Sequence, residues 1–272
     1  MENNLAGVAY RGESIAGVNT CLELPPYGLV FDMGRCPDHA VSENLVFISH
    51  GHMDHVGGVV YHAAQRSLRG MTAPTYVVPA SIRSSVEALF KAHEVMEGET
   101  IPRHIETLEQ IESFDLGPDL VVKSFPTHHR IPSQGYVISR RRLKLLDEYK
   151  GLSGADIAKL RQGGVTVSRT VTDLEVAFTG DTTVEVFDQQ PFLYQVKRLI
   201  VEVSFLDGAV PPDGAKRRGH IHLDDLVDRA HLFQNEAILF THFSARYTRD
   251  DILKLLDAKL PKDLREKVTP LL

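Results

Sequence analysis

Eight short runs of apolar, mostly β-branched residues recur along the 272-residue chain, and each run stops at polar residues. Runs of this length and composition are typical of buried strands. The predicted strands cover residues 29–31, 44–49, 75–78, 120–125, 135–138, 174–179, 199–203 and 237–241.

Helical periodicity fills several of the intervals between these runs, at residues 81–93, 153–162, 223–233 and 249–259. The last helix has the clearest ends, because Thr248 can cap it, Asp250 and Asp251 lie in its first turn, and Pro261 follows it. Strands that alternate with helices predict an α/β fold.

Five of the predicted strands contain or run directly into residues that bind metals or transfer protons. These residues are His50, the pair His128 and His129, Asp181, Glu202 and His242. In open α/β sheets, ligands bind at the carboxyl ends of the strands. The five strand ends are therefore expected to meet at one site.

The segment HGHMDH places His50, His52, Asp54 and His55 within six residues. Imidazoles with a carboxylate suit zinc, with manganese or iron as alternatives. The absence of cysteine from this cluster argues against a closed structural zinc site, so the ligand set favours a catalytic metal. Glycines Gly57 and Gly58 allow the following chain to approach the sheet closely.

Further motifs follow in a fixed order along the chain. They are HRIPSQGY at 129–136, FTGDT at 178–182, VEVSF at 201–205, GH at 219–220 and THFSARY at 241–247. Together with HGHMDH, they resemble the HxHxDH, HxxPSxGY, SGDT, HEATF, GHST and THFSSRY segments of the ribonuclease Z branch of the metallo-β-lactamase superfamily.

This resemblance implies a single domain over residues 1–272, built as a four-layer αββα sandwich of two mixed sheets flanked by helices, with the metal site at strand ends. It also implies two metal ions, expected to be Zn²⁺ with Mn²⁺ or Fe²⁺ as alternatives. One ion would be bound by His50, His52 and His129, the other by Asp54, His55 and His242, with Asp181 as the bridge. Two nearby cations need a shared anionic ligand, and they can activate a water molecule near neutral pH.

The resemblance also implies catalytic roles for Asp54, Glu202 and His220. Asp54 would orient or deprotonate the attacking water, and Glu202 would raise the pKa of His220 so that this imidazole protonates the leaving oxygen. His222 competes with His220 for this role, because GHIH departs from GHST. His128 competes with His129 as a ligand, although the spacing to Pro132 and Tyr136 favours His129.

The chain departs from the family in its substrate-binding segments. The match to the FDxG–GEGTQ segment stops at Gly34, and the basic segment 139–169 lacks the Gly-Pro element of the family's tRNA-binding arm. That segment has eight basic and three acidic residues, a net charge of +5, in a chain whose total is −6. It is either a solvated helical excursion or a reduced exosite. Further candidate substrate contacts are Ser133, Lys216, Arg217, Arg218 and Arg246.

The expected activity is metal-dependent phosphodiester hydrolysis, with the 3′ trailer of precursor tRNA as a candidate substrate. A hydrolase of a small ester, thioester, lactone or cyclic phosphodiester is the alternative, since one fold serves many substrates. An inactive, metal-bound interaction module is the third hypothesis.

The cysteine count and the apolar runs of the sequence indicate where the protein is located. Cys21 and Cys36 are too few for a disulfide framework, and no apolar run reaches the roughly 20 residues of a membrane span. The first residues lack a basic, apolar leader, so we expect a cytoplasmic protein without a membrane partner. The family resemblance suggests a homodimer.

Overall fold

Two mixed β-sheets form the centre of the computed structural model, which describes residues 3–108 and 112–272. Within these ranges, the first sheet contains β1 (Asn3–Leu5), β2 (Val8–Ala16), β3 (Asn19–Leu24), β4 (Leu29–Phe31), β5 (Leu45–Phe47), β6 (Thr75–Val78), β7 (His104–Thr107) and β14 (Phe243–Ser244). The second sheet contains β8 (Phe114–Asp115), β9 (Leu120–Pro126), β10 (Gln134–Leu145), β11 (Ser168–Phe178), β12 (Arg198–Glu202), β13 (Ala237–Thr241) and β15 (Val268–Pro270). Strands β4 to β7 are parallel to one another, as are β11, β12, β13 and β15.

The helices lie mainly between strands in sequence. They are α1 (Met53–Val56), α2 (Val59–Leu68), α3 (Arg83–Glu97), α4 (Gly154–Gln162), α5 (Val186–Gln189), α6 (Pro212–Arg217), α7 (Leu223–Asp228), α8 (Arg249–Lys259) and α9 (Lys262–Arg265). Helix α8 begins as its sequence predicts, because the Thr248 side chain accepts a hydrogen bond from the Asp251 amide.

Among the described residues, the three large hydrophobic cores separate four layers. The central core joins the two sheets, where Phe31 of β4 stacks on Phe178 of β11 with their ring centroids 4.7 Å apart. A second core packs α2 and α3 on the outer face of the first sheet, and a third packs α7 and α8 on the second sheet. This αββα arrangement confirms the predicted fold class.

The sequence pattern missed β1 to β3, and in β3 the polar composition conceals complete burial. All six residues of β3 are buried, including the polar Asn19, Thr20 and Glu23. Inside the sheet, Glu23 pairs with Arg11 of β2 and lies 2.9 Å from His39. Such pairing lets a strand bury charged side chains that a hydrophobicity pattern counts as exposed.

Two helical predictions need correction. The helix predicted at 223–233 ends at Asp228 and is followed by a single 3₁₀ turn, Ala230–Leu232. The basic segment 139–169 is helical only in α4 and in a short 3₁₀ turn at Asp147–Tyr149. Ser139 to Leu145 pair with Ser168 to Leu174 as an antiparallel extension of β10 and β11, which we call the basic ribbon.

Helices long and apolar enough to cross a membrane are absent from the described ranges.

Candidate metal centre

The ends of β5, β9, β11 and β13 bring the predicted ligands to one place. His50 and His52 follow β5, and His129 follows β9. The Nε2 of His50 is 3.0 Å from Nδ1 of His52, and that atom is 3.1 Å from Nε2 of His129. Asp181, after β11, places Oδ2 3.7 Å from His50 Nε2, so these four side chains form the first ligand group.

Asp54, His55 and His242 form the second ligand group. The Nε2 atoms of His55 and His242 are 3.3 Å apart, and Asp54 Oδ2 lies 3.4 Å from His242 Nε2. Asp181 faces this group too, because its Oδ2 is 3.4 Å from His55 Nε2 and its Oδ1 is 3.4 Å from His242 Nε2. The Asp181 carboxylate therefore lies between the two groups.

The donor atoms fit a divalent cation. Asp181 is 2% exposed, yet its Oδ1 has no hydrogen-bond partner among the described residues. A buried carboxylate oxygen without a partner is costly, and a bound cation would satisfy it. Burial, with neighbouring His55, lowers the pKa of His50 to about 2, so this imidazole is neutral and offers a lone pair at neutral pH. The cluster fits divalent metal binding.

Other buried polar groups fix the orientation of these imidazoles. The Nδ1 of His55 lies 2.7 Å from Asp32 Oδ2, and the Nδ1 of His242 lies 3.1 Å from Ser204 Oγ. His129 donates from Nδ1 to the Gly219 carbonyl at 2.8 Å. Each contact occupies one ring nitrogen and leaves the other facing the cluster, as ligand histidines require.

Asp32 is an orienting residue to which the sequence pattern assigned no role. It is fully buried, and its carboxylate also accepts hydrogen bonds from the amide and hydroxyl of Ser49. Its φ of 58° and the φ of 59° at His242 are rare for non-glycine residues and mark strain at a functional site. An acidic residue directly after the buried strand at 29–31 was the available signal.

Gly219 needs to be glycine for the site to close. Its φ is 80°, and a Cβ built there would lie 2.6 Å from His129 Nδ1. Any larger residue would displace the His129 ring from its place in the cluster, so the glycine of the GH motif allows the chain carrying His220 to approach the ligand loop.

Glu202 and His220 form a hydrogen-bonded pair beside the first ligand group. His220 Nδ1 lies 2.8 Å from Glu202 Oε1, which also accepts the Thr182 amide, and Glu202 Oε2 accepts the Ser204 hydroxyl. Burial opposes protonation of His220, but Glu202 outweighs it and raises the pKa of His220 to about 9. Because protein donors occupy both oxygens of Glu202, this carboxylate suits positioning of His220 better than metal binding.

The structure distinguishes His220 from His222 and His129 from His128. His222 is buried at the start of α7, where its Nδ1 accepts the Asp224 amide and its Nε2 lies 3.0 Å from the Asp207 carbonyl. His222 therefore caps a helix, whereas His220 lies at the cluster. His129 lies in the first ligand group, and His128 does not.

The predicted substrate contacts do not line the mouth of the cluster. This cavity of about 260 Å³ is lined by Gly17, His52, Met53, Asp54, Arg130, Asp181, His220 and His242. Ser133 bonds to the Thr127 hydroxyl, and Lys216 pairs with Glu185. Arg218 and Arg246 lie 6.0 and 5.4 Å from the Phe205 ring, which packs against His220, while Arg217 is exposed. The cation at the mouth is Arg130, which the sequence analysis missed.

Comparison with known proteins agrees with this geometry. The family model for the beta-lactamase superfamily domain matches residues 34–243. The protein tRNase Z TRZ1 of Arabidopsis thaliana is 42% identical over 266 residues, which cover 97% of this chain and 95% of that protein. The chain belongs to the tRNase Z family. A second relative from that plant, tRNase Z TRZ2, chloroplastic, is 38% identical over 98% of this chain and 76% of its own length.

A solved structure within the tRNase Z family shares the fold. Human tRNase Z, short form (ELAC1), superposes with a TM-score of 0.62 at 19% identity, and the match covers 97% of this chain and 95% of that one. The predicted resemblance to the ribonuclease Z branch is confirmed.

Proposed function

We propose that the chain is a metal-dependent endonuclease that hydrolyses a phosphodiester bond at the 3′ trailer of precursor tRNA. The observation that carries this proposal is the convergence of seven ligand side chains and the Glu202–His220 pair on one cluster, whose mouth is lined by His52, Asp54, Asp181, His220 and His242. Relatives that match nearly the full chain are named tRNase Z, which supports RNA as the substrate class.

We further propose two metal ions, expected to be zinc with manganese or iron as alternatives. His50, His52 and His129 would hold one ion, and Asp54, His55 and His242 the other, with Asp181 shared. The near contacts within each group and the position of Asp181 between them support this assignment. Bound metal supplies Lewis acidity and a water nucleophile near neutral pH.

The residues around the ions have separate tasks in this proposal. The Gly17 amide donates to Asp54 Oδ2 at 2.7 Å and fixes a carboxylate at the mouth, where it can accept a proton from the attacking water. His220 donates from Nδ1 to Glu202, so Nε2 is the nitrogen that can give a proton to the departing oxygen. An alkoxide of ribose is a poor leaving group, so RNA cleavage needs this proton.

One observation favours the second candidate, hydrolysis of a small ester or phosphodiester. Several cations of the basic ribbon are paired with nearby carboxylates: Arg140 with Asp119, Arg141 with Asp115, and Arg142 with Asp173. Paired cations gain less from binding RNA phosphates, so the ribbon is a weaker exosite than its +5 charge suggests.

Salt dependence separates the two candidates. We expect purified, metal-loaded protein to cut a precursor tRNA once, and kcat/KM to fall by at least about tenfold between 50 and 200 mM salt, as contacts to several phosphates require. Hydrolysis of bis(p-nitrophenyl) phosphate should change by less than twofold in the same series. Turnover of the small ester without RNA cleavage would overturn the tRNA proposal and favour the second candidate.

The domain organisation and the cellular location of the protein stay predictions. We propose that residues 1–272 act as one domain with the basic ribbon, inside 139–169, as an insertion. A location in the cytoplasm is also proposed, although one of the relatives is named as chloroplastic.

Exposed apolar side chains support the proposed homodimer. Tyr61 and Leu68 on α2 are 56% and 80% exposed, and Val95 and Met96 at the end of the neighbouring α3 are 83% and 70% exposed. Exposed apolar groups of this kind mark association surfaces. Sedimentation equilibrium should give twice the chain mass, and Leu68→Glu should give the monomer mass. A wild-type monomer at micromolar concentration would contradict the dimer.

A further inference from the structure

A second cavity of about 400 Å³ opens beside the mouth of the metal centre, and we call it the side pocket. Its distinctive lining residues are His128, Arg130, Thr183, Glu185, Gln189 and Lys216. A cavity of this volume lies within the range that holds small organic ligands. The side pocket and the mouth share Arg130, so a chain of substrate atoms can pass from one into the other.

The side pocket lies on the side of the metal centre where the proposed leaving oxygen would depart. Gly219 and His129 also border it, and their contact of 2.8 Å places the pocket next to His220. The ring centroids of His129 and His220 are 5.1 Å apart. If His220 protonates the leaving oxygen, the nucleotide that carries this oxygen lies on the same side of the metal centre as the pocket.

The chemistry of the pocket suits a nucleobase better than another phosphate. Lys216 is paired with Glu185, so its charge is largely compensated and a carboxylate faces the same space. The Gln189 amide and the His128 imidazole offer hydrogen-bond donors and acceptors, which are the groups that read base edges.

Arg130 is suited to contact the sugar-phosphate backbone, in contrast to Gln189 and His128, which suit the base. It lines both cavities, is exposed, and forms no ion pair with any residue of 3–108 or 112–272. A guanidinium that has no competing carboxylate can bind a phosphate oxygen with two donors. Its place between the cavities suits the sugar-phosphate link between the base and the scissile bond.

We infer that the side pocket binds the base of the nucleotide that carries the leaving oxygen, with Gln189 and His128 contacting the base and Arg130 the adjoining backbone. The inference rests on the proposed RNA cleavage and adds a base-binding subsite to it. Gln189 and His128 are then specificity residues that contact substrate without contacting the metal ions.

An abasic substrate tests this inference. Two precursor RNAs are compared, identical except that one lacks the base at the nucleotide left with the new hydroxyl after cleavage. Wild-type protein should cut the abasic RNA with a kcat/KM about tenfold lower, the loss expected for one or two hydrogen bonds with stacking. Gln189→Ala should cut the intact RNA severalfold more slowly and show an abasic penalty of only about two- to fourfold, because one of the two contacts to the base is already lost and only the contact of His128 is left.

Gln195→Ala is the matched control, since this exposed glutamine undergoes the same chemical change and does not line the side pocket. It should retain the full tenfold abasic penalty. The inference is overturned if wild-type protein shows no penalty, or if Gln189→Ala keeps the full penalty while its metal content equals that of wild type. Wild-type protein that hydrolyses bis(p-nitrophenyl) phosphate but neither RNA overturns the proposed function itself.

Discussion

Asp181→Ala is expected to lose bound metal and to lower turnover about a thousandfold or more. Asp181 places Oδ2 within 3.4 Å of His55 and 3.7 Å of His50, so one carboxylate serves both ligand groups. Its removal would leave two cations without a shared anion, and their repulsion would expel at least one of them. Metal analysis of the purified variant should give one ion per chain or fewer, against about two for wild type.

Asp188→Ala is the matched control for this prediction. Asp188 is an exposed aspartate seven residues after Asp181, and its Oδ2 lies 3.6 Å from the Arg229 guanidinium. The control should keep wild-type metal content and activity. Two tightly bound ions in Asp181→Ala would contradict the proposed bridge.

His220→Ala is expected to separate metal binding from proton transfer. The His220 side chain is paired with Glu202, and we expect its loss to slow RNA cleavage by about 10²- to 10⁴-fold, the usual contribution of a general acid. Hydrolysis of bis(p-nitrophenyl) phosphate should fall by less than about tenfold, because p-nitrophenolate leaves without being protonated. Metal content should match wild type.

His222→Ala provides the comparison, because it removes a buried imidazole two residues away. His222 caps α7, so its substitution should lower the free energy of unfolding by about 1 kcal/mol or more while the ratio of RNA to small-ester activity stays unchanged. Equal losses on both substrates in His220→Ala would contradict the proton-donor assignment. So would a changed substrate ratio in His222→Ala.

The sequence predicted the helix at 249–259 and most of the central strands closely. Thr248 and the acidic first turn are local signals, and local signals are sufficient to define a helix start. The pattern failed for β3, where Glu23 is buried by its pairing with Arg11, and for the basic ribbon, where strands β10 and β11 extend beyond their apolar parts. In both places, pairing across the sheet outweighed the hydrophobic pattern.

The residues of the metal centre likewise divide into those that the sequence predicted and those that it missed. The ligand types at the strand ends were visible in the sequence because parallel strands place their carboxyl ends at one edge of a sheet. Asp32 was missed as an orienting residue since its partner His55 lies 23 positions away. Arg130 was missed because an exposed arginine after a histidine has no local signal for lining a cavity.

The sequence by itself determined the fold class, the order of the motifs and the residue types that converge on the metal centre, because each of these depends on short segments and their spacing. Only the tertiary structure decided which of two neighbouring histidines faces the cluster, which groups orient the ligands, and that a side pocket adjoins the mouth. These features depend on contacts between distant segments, such as His129 with Gly219 at a separation of 90 residues and Asp54 with His242 at 188. Local periodicity carries no information about separations of that length.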